Sequence, residues 1–216
     1  MADYSKPDQW SIKAQKEGYP ARSVYKLKEM DEKFGLIKSG RTHFRALELG
    51  AAPGSWSLYI LRKLAGQTGK KDGGHSLVSI DMSPLNCAFL NQPQGQGISE
   101  GKDFVFIQGD FTADEIREAI LSHSPYNLLV SDAAPATSGN RSLDTLRSLE
   151  LAETALDYAG AALAKGGNLV IKVFQGGDTG NLLKAIRGSF ETGKSFKPQA
   201  CRAESFETYY LGLGKK

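Results

Sequence analysis

A lysine stands inside an apolar run, Leu169-Val170-Ile171-Lys172-Val173-Phe174. Burial in low dielectric disfavours an ammonium. Lys172 therefore either snorkels from a strand end or serves a site, and an amine held partly neutral can act as a general base. Carboxylates follow the other apolar runs: Asp81 ends SLVSID, Asp110 follows FVFIQG, and Asp132 follows YNLLVS. Glycines bracket small residues in LELGAAPGSWS, at Gly50 and Gly54. A missing side chain lets a ligand approach the backbone. An acid after a second strand can accept from both hydroxyls of a ribose. Asp110 can accept the exocyclic amine of an adenine. The set points to a nucleoside cofactor. Without GxGxxG or a Walker lysine, it disfavours dinucleotides and nucleoside triphosphates.

These residues need a scaffold that gathers strand ends. Short apolar runs at Phe44–Leu49, Ser76–Asp81, Phe104–Gln108, Tyr126–Asp132 and Asn168–Phe174 alternate with helical patterns. The helices expected between them are Ser55–Ala65, one following a Thr112/Glu115 capping box, and Leu143–Ala164 closed by Gly166-Gly167. A helix at Leu182–Phe190 and a late strand at Phe206–Leu213 complete the pattern. Such alternation predicts an α/β fold, a mostly parallel sheet with helices on both faces. The close spacing at the end predicts an antiparallel last pair. Ligands then bind beyond the carboxyl ends of the strands, where the glycines and acids lie. Polar, Gly-rich loops are expected at 66–75 and 91–103.

The 216 residues suit one domain, and 40% hydrophobic content suffices for a core. No apolar run reaches the roughly 18 residues of a membrane span, and the first thirty residues lack a secretory apolar region. Two distant cysteines, Cys87 and Cys201, argue against a disulfide framework and suit a reducing compartment. His43, His75 and His123 show no metal-ligand spacing, so no metal is expected. Net charge is +3, while Met1 to Arg45 alone holds ten basic and six acidic residues. Clustered basic charge is a footprint of polyanion binding. On a helix at Arg22–Phe34, with Leu27, Met30 and Phe34 as its apolar face, Arg22, Lys26 and Lys33 project together and predict a basic ridge for phosphates.

The stretches KAQKEGYPARSVYKLKEMDEKFGLIKSG, LELGAAPGSWS, SIDMSP, IQGDFT, SDAAPATSG, LVIKVFQGG and AESFETYYLGLG together resemble the FtsJ-type family of ribosomal RNA large-subunit ribose 2′-O-methyltransferases. The resemblance runs from about Lys13 to Lys215. It implies a Rossmann-like methyltransferase fold with a seven-stranded sheet whose last strand is antiparallel. It also implies S-adenosyl-L-methionine as cofactor. The family's Lys-Asp-Lys-Glu tetrad falls on Lys26, Asp132, Lys172 and Glu207. Cofactor contacts fall on Gly50, Gly54, Trp56, Asp81, Asp110 and Asp132. The implied substrate is RNA, a uridine of large-subunit ribosomal RNA; transfer or messenger RNA are alternative targets, and a non-catalytic RNA-binding assembly factor is the alternative role. One cytoplasmic, monomeric methyltransferase domain is expected, residues 1–40 being a basic arm and helix that help bind RNA and 41–216 the catalytic core. The chain departs from the family pattern at Glu48, where Asp is usual, at Ser55, where a second glycine is usual, and at Ala136, where Asn commonly stands.

Overall fold

The computed structural model describes residues 8–38, 43–66, 74–85, 103–176, 179–202 and 204–216. Cys87 and most of the two polar loops expected at 66–75 and 91–103 lie outside these residues. The elements run α1 (Gln9–Lys16), α2 (Val24–Phe34), β1 (Arg45–Leu49), α3 (Ser55–Ala65), β2 (Ser76–Asp81), β3 (Phe104–Gln108) and α4 (Asp114–Ser122). There follow β4 (Tyr126–Ser131), α5 (Arg141–Ala162), β5 (Leu163–Phe174), α6 (Thr179–Ser189), β6 (Phe190–Phe196) and β7 (Glu207–Lys215). The seven strands form one sheet in the order β3-β2-β1-β4-β5-β7-β6. The first five are parallel neighbours, and β7 runs antiparallel to both β5 and β6. The expected fold class is therefore the observed one.

Alternation along the strands builds two cores, because successive side chains point to opposite faces. Ala46, Leu128, Val130, Val170, Tyr209 and Leu211 pack under α2 and α3. Leu47, Leu49, Leu129, Leu169, Ile171 and Val173 pack against residues of α5 and α6. Lys172 takes the turn between Ile171 and Val173, so it shares the α2–α3 face with Val170. Its cross-strand partner there is Tyr209.

Four local expectations are corrected. Helix α5 ends at Ala162 and its chain continues directly into β5. Gly166 and Gly167 therefore lie inside the strand, at a register shift against β4, and do not cap a helix. A side chain at Gly167 would meet the Ala164 carbonyl at 2.8 Å. The capping box does not form either: Ala113 is the N-cap of α4, and the Thr112 hydroxyl donates instead to Asp110 at 2.7 Å. Helix α1 lies within the expected N-terminal arm; Asp8 caps it by accepting from the Ser11 N–H at 2.8 Å. Strand β6 follows α6 where no strand was read, because this sheet edge, FETGKSF, buries little beyond Phe190.

Candidate active site

Strand β1 ends in a turn that closes on β4. Gly50 has a φ of 79°, and a Cβ there would lie 2.7 Å from the backbone of Ala133. The neighbouring strand end therefore demands glycine here, a reason that the sequence alone does not show. Gly54, with a φ of 99°, is the N-cap of α3. The turn is held from the side by Asp81, whose Oδ2 accepts from the Ala52 N–H at 2.8 Å while Oδ1 accepts from the Ser83 N–H at 2.7 Å. Asp110 accepts through Oδ1 from both the N–H and the hydroxyl of Thr112.

Gly50, Asp81, Asp110 and Asp132 line one cleft of about 680 Å³ at the carboxyl ends of β1 to β4. That volume is within the range of small-molecule sites. Each oxygen of Asp81 accepts one backbone N–H and keeps a second lone pair. With Glu150 the cleft is lined by four carboxylates against one cation, Arg147, which suits a ligand that carries hydroxyls, an amine and a positive charge. Met82, 70% exposed, adds an apolar wall. The residues present therefore fit a nucleoside sulfonium.

Gly54 and Trp56 are not among that cleft's lining residues. Trp56 is buried; its indole Nε1 donates to the Ser23 carbonyl at 2.8 Å, and its ring lies 6.0 Å from that of Tyr209. Next to it the Ser55 hydroxyl accepts from the Ala21 N–H at 2.7 Å. The first turn of α3 therefore braces the segment that leads into α2. Ser55, a departure from the family pattern, contributes a bond that glycine could not.

Lys26, Asp132, Lys172 and Glu207 come from α2, the end of β4, β5 and β7, and they converge. Lys172 Nζ lies 3.1 Å from Asp132 Oδ1 and also donates to the Asp132 carbonyl. Lys26 Nζ lies 2.7 Å from Glu207 Oε1. Between the two pairs stands Tyr209, whose hydroxyl donates to Asp132 Oδ1 at 2.7 Å and whose ring centre is 5.9 Å from Lys26 Nζ. Sequence reading missed Tyr209; its place two residues after Glu207, on the same strand face, was the available signal. Burial opposes the charge of Asp132, but Lys172, then Lys26, and hydrogen bonds from Tyr209 and Lys172 outweigh it and hold the carboxyl below its usual range. Burial likewise opposes the charge of Lys26, and Asp132 and Glu207 overcome it, so this ammonium is held above the ordinary lysine value.

A second cleft, of about 380 Å³, opens beside the Lys26–Glu207 pair, with Arg22, Arg202 and Phe206 on its walls. The three basic residues expected as one ridge are split. Arg22 lies before α2, which begins at Val24 and not at Arg22 as expected, and it lines this second cleft together with Lys26, paired with Asp8 and donating to the Ala200 carbonyl. Lys33 lies elsewhere, its Nζ 4.3 Å from the ring centre of Phe196. Packing between α2 and the β6–β7 edge decides this, and helical periodicity carries no trace of it. Among the described residues no cluster of His, Cys, Asp and Glu could hold a metal ion.

Residues 19–215 match the profile of the FtsJ-like methyltransferases. The chain belongs to this family. Its members are S-adenosylmethionine-dependent enzymes, and the chemistry of the carboxylate-lined cleft suits such a cofactor. The ribosomal RNA large subunit methyltransferase E of Treponema denticola is 44% identical over 213 residues, covering 99% of this chain and 97% of the relative. Its counterpart in Borrelia garinii subsp. bavariensis is 41% identical over 209 residues, covering 97% of each. Among solved structures, a ribosomal RNA methyltransferase from Plasmodium falciparum is similar with a TM-score of 0.70 at 25% identity, over 91% of this chain and 98% of that one.

Proposed function

We propose that this methyltransferase transfers a methyl group to a ribose 2′-hydroxyl of RNA, a uridine of large-subunit ribosomal RNA. The observation that carries the reading is that the four converging side chains join two clefts. Asp132 borders the cofactor cleft, Lys26 and Glu207 border the second cleft, and Lys172 pairs with Asp132. The names of the relatives supply the ribosomal target. A ribosomal substrate makes the cytoplasm the working compartment, and the monomer suffices because both clefts lie within one chain. Residues 1–216 act as one methyltransferase domain, in which 41–216 form the catalytic core and the segment before residue 40 helps hold RNA through Arg22 and Lys26. Gly50, Asp81, Asp110 and Asp132 hold the cofactor; Gly54 and Trp56 support that site indirectly, through α3.

The bound cofactor supplies a methyl made electrophilic by its sulfonium. This chain's task is to present the acceptor oxygen and manage its proton. The Lys172 side chain is 8% exposed, so little water competes for the hydroxyl. Lys172 acts after giving up its own proton to solvent: as the methyl's bond to sulfur breaks, the oxygen gains the methyl and its proton passes to the neutral Nζ. Asp132, kept ionised by Lys26 and the Tyr209 hydroxyl while the amine is neutral, then stabilises the ammonium formed. Lys26, fixed by Glu207, orients the same oxygen from the other side. Holding the reactants in this geometry supplies a further part of the rate.

Replacing Lys172 by Met tests this. The variant keeps an apolar stem of similar length and loses the amine. It is expected to fold, to bind S-adenosylmethionine with parental affinity, and to methylate large ribosomal subunits at least about 10²-fold more slowly in single turnover. A rate within a few-fold of the parent's would remove Lys172 from the mechanism.

A further inference from the structure

The second cleft contains a group that the methyl-transfer chemistry does not use. Phe206 lines it one residue before Glu207. Its ring is held in place: it meets Phe174 at 4.6 Å between centroids with the planes at 62°, and the Phe206 carbonyl accepts from the Gln175 N–H at 2.7 Å. The ring is partly exposed. Above it, 5.1 Å from the ring centre, lies the guanidinium of Arg141, an exposed residue at the first position of α5. Arg22 is tied to Asp8, and Arg117 to Asp157 at 2.7 Å. Arg141 has no carboxylate partner among the described residues.

We propose that Phe206 and Arg141 form the platform on which the base of the acceptor nucleotide stacks. The inference rests on the reading of the second cleft as the acceptor site and adds how the nucleotide is gripped there. A 2′-hydroxyl reaches the Lys26–Glu207 wall of a narrow cleft only when its nucleotide leaves the surrounding stack. The base then needs a new stacking partner, because unstacking is costly. A planar ring fixed from behind and from its own backbone offers one at no ordering cost. The guanidinium over it adds a second flat, cationic surface, suited to a base and to the adjoining phosphate. Every base has a π-face, so the platform tolerates sequence and leaves the choice of nucleotide to the fit of the RNA as a whole.

The test uses the full chain and large ribosomal subunits from cells lacking this methyltransferase. Phe206→Leu keeps an apolar contact with Phe174 and removes the aromatic face. It is expected to raise the KM for subunits by roughly 5- to 150-fold, the effect of one lost base stack. S-adenosylmethionine affinity and kcat at saturating RNA should stay within about twofold of the parent's, on the proposal that the group only grips the base. Phe206→Tyr, which restores a ring, should recover the parental KM. Arg141→Gln, at an exposed position, should raise KM and reduce the salt dependence of RNA binding by about one phosphate contact. A KM unchanged in both Phe206→Leu and Arg141→Gln, with an active parent, overturns the platform and leaves the proposed activity standing. A parent that does not methylate the subunits overturns both.

Discussion

Glu48 is the most costly carboxylate of the scaffold, and its cost can be measured. It lies on β1, 1% exposed, two residues before the glycine turn. Its Oε2 accepts from the Ser57 hydroxyl at 2.5 Å and from the Ser79 hydroxyl at 2.6 Å. Burial raises its pKa; the two serine bonds work the other way but do not compensate, and the negative charges of Asp132 and Asp81 raise it further, to about 7 from 4.5. At 1.36 kcal/mol per unit, that shift is worth about 3 kcal/mol. The folded form binds more protons than the unfolded chain between those two values, so stability falls as pH rises through this window. Most of that loss, about 2–3 kcal/mol, appears between pH 5 and pH 8 by the same linkage. Glu48→Gln removes the titration, keeps the shape and keeps an oxygen that accepts from a serine. Urea unfolding of parent and variant at pH 5, 6, 7 and 8 gives the difference in stability directly. The subtraction cancels other groups such as His75, whose pKa is lowered by burial first and by His43 second. The variant should gain about 2–3 kcal/mol on the parent from pH 5 to pH 8. A difference between the two proteins that stays constant over this range, within about 0.5 kcal/mol, would falsify the account, because the charge would then be neutralised in a way that two serine bonds do not provide.

Three further outcomes are expected. Asp81→Ala should weaken S-adenosylmethionine binding by about tenfold or more in calorimetry, since a charged acceptor is worth about 1.5–3 kcal/mol and the variant also frees the Ala52 N–H from its partner. Lys33→Glu should leave RNA affinity and its salt dependence near the parental values, whereas Arg22→Ala should weaken RNA binding; filter-binding titrations at several salt concentrations separate the two, and equal losses would restore the single ridge. Ser55→Gly should cost about 1 kcal/mol of stability in urea unfolding through the orphaned Ala21 N–H, and should raise the KM for RNA more than the dissociation constant of the cofactor, because the segment it releases carries Arg22 and Lys26.

The chain by itself determined the layered α/β fold, the bounds of α3, β2 and β3, and the acids that end the strands, because these are set by local periodicity and by where apolar runs stop. Lys172 stood out for the same reason: a charge inside such a run conflicts with its surroundings at any register. The tetrad as a set was legible only through family resemblance, since nothing in local pattern joins Lys26 to Glu207. Other features were decided in three dimensions. Gly50 is glycine because β4 closes on it, at a distance of many residues along the chain. Trp56, read as a cofactor contact, is a buried brace because α2 lies over the first turn of α3. Of the ridge read on one helix, Arg22 and Lys26 share the second cleft, Arg22 from the turn before α2, while Lys33 is drawn away against Phe196 of β6. Strand β6 is formed by pairing on one side with β7, which supplies backbone hydrogen bonds that no apolar alternation in FETGKSF announces. Local pattern reports what a segment buries, whereas which group faces which cleft depends on neighbours that only folding brings together.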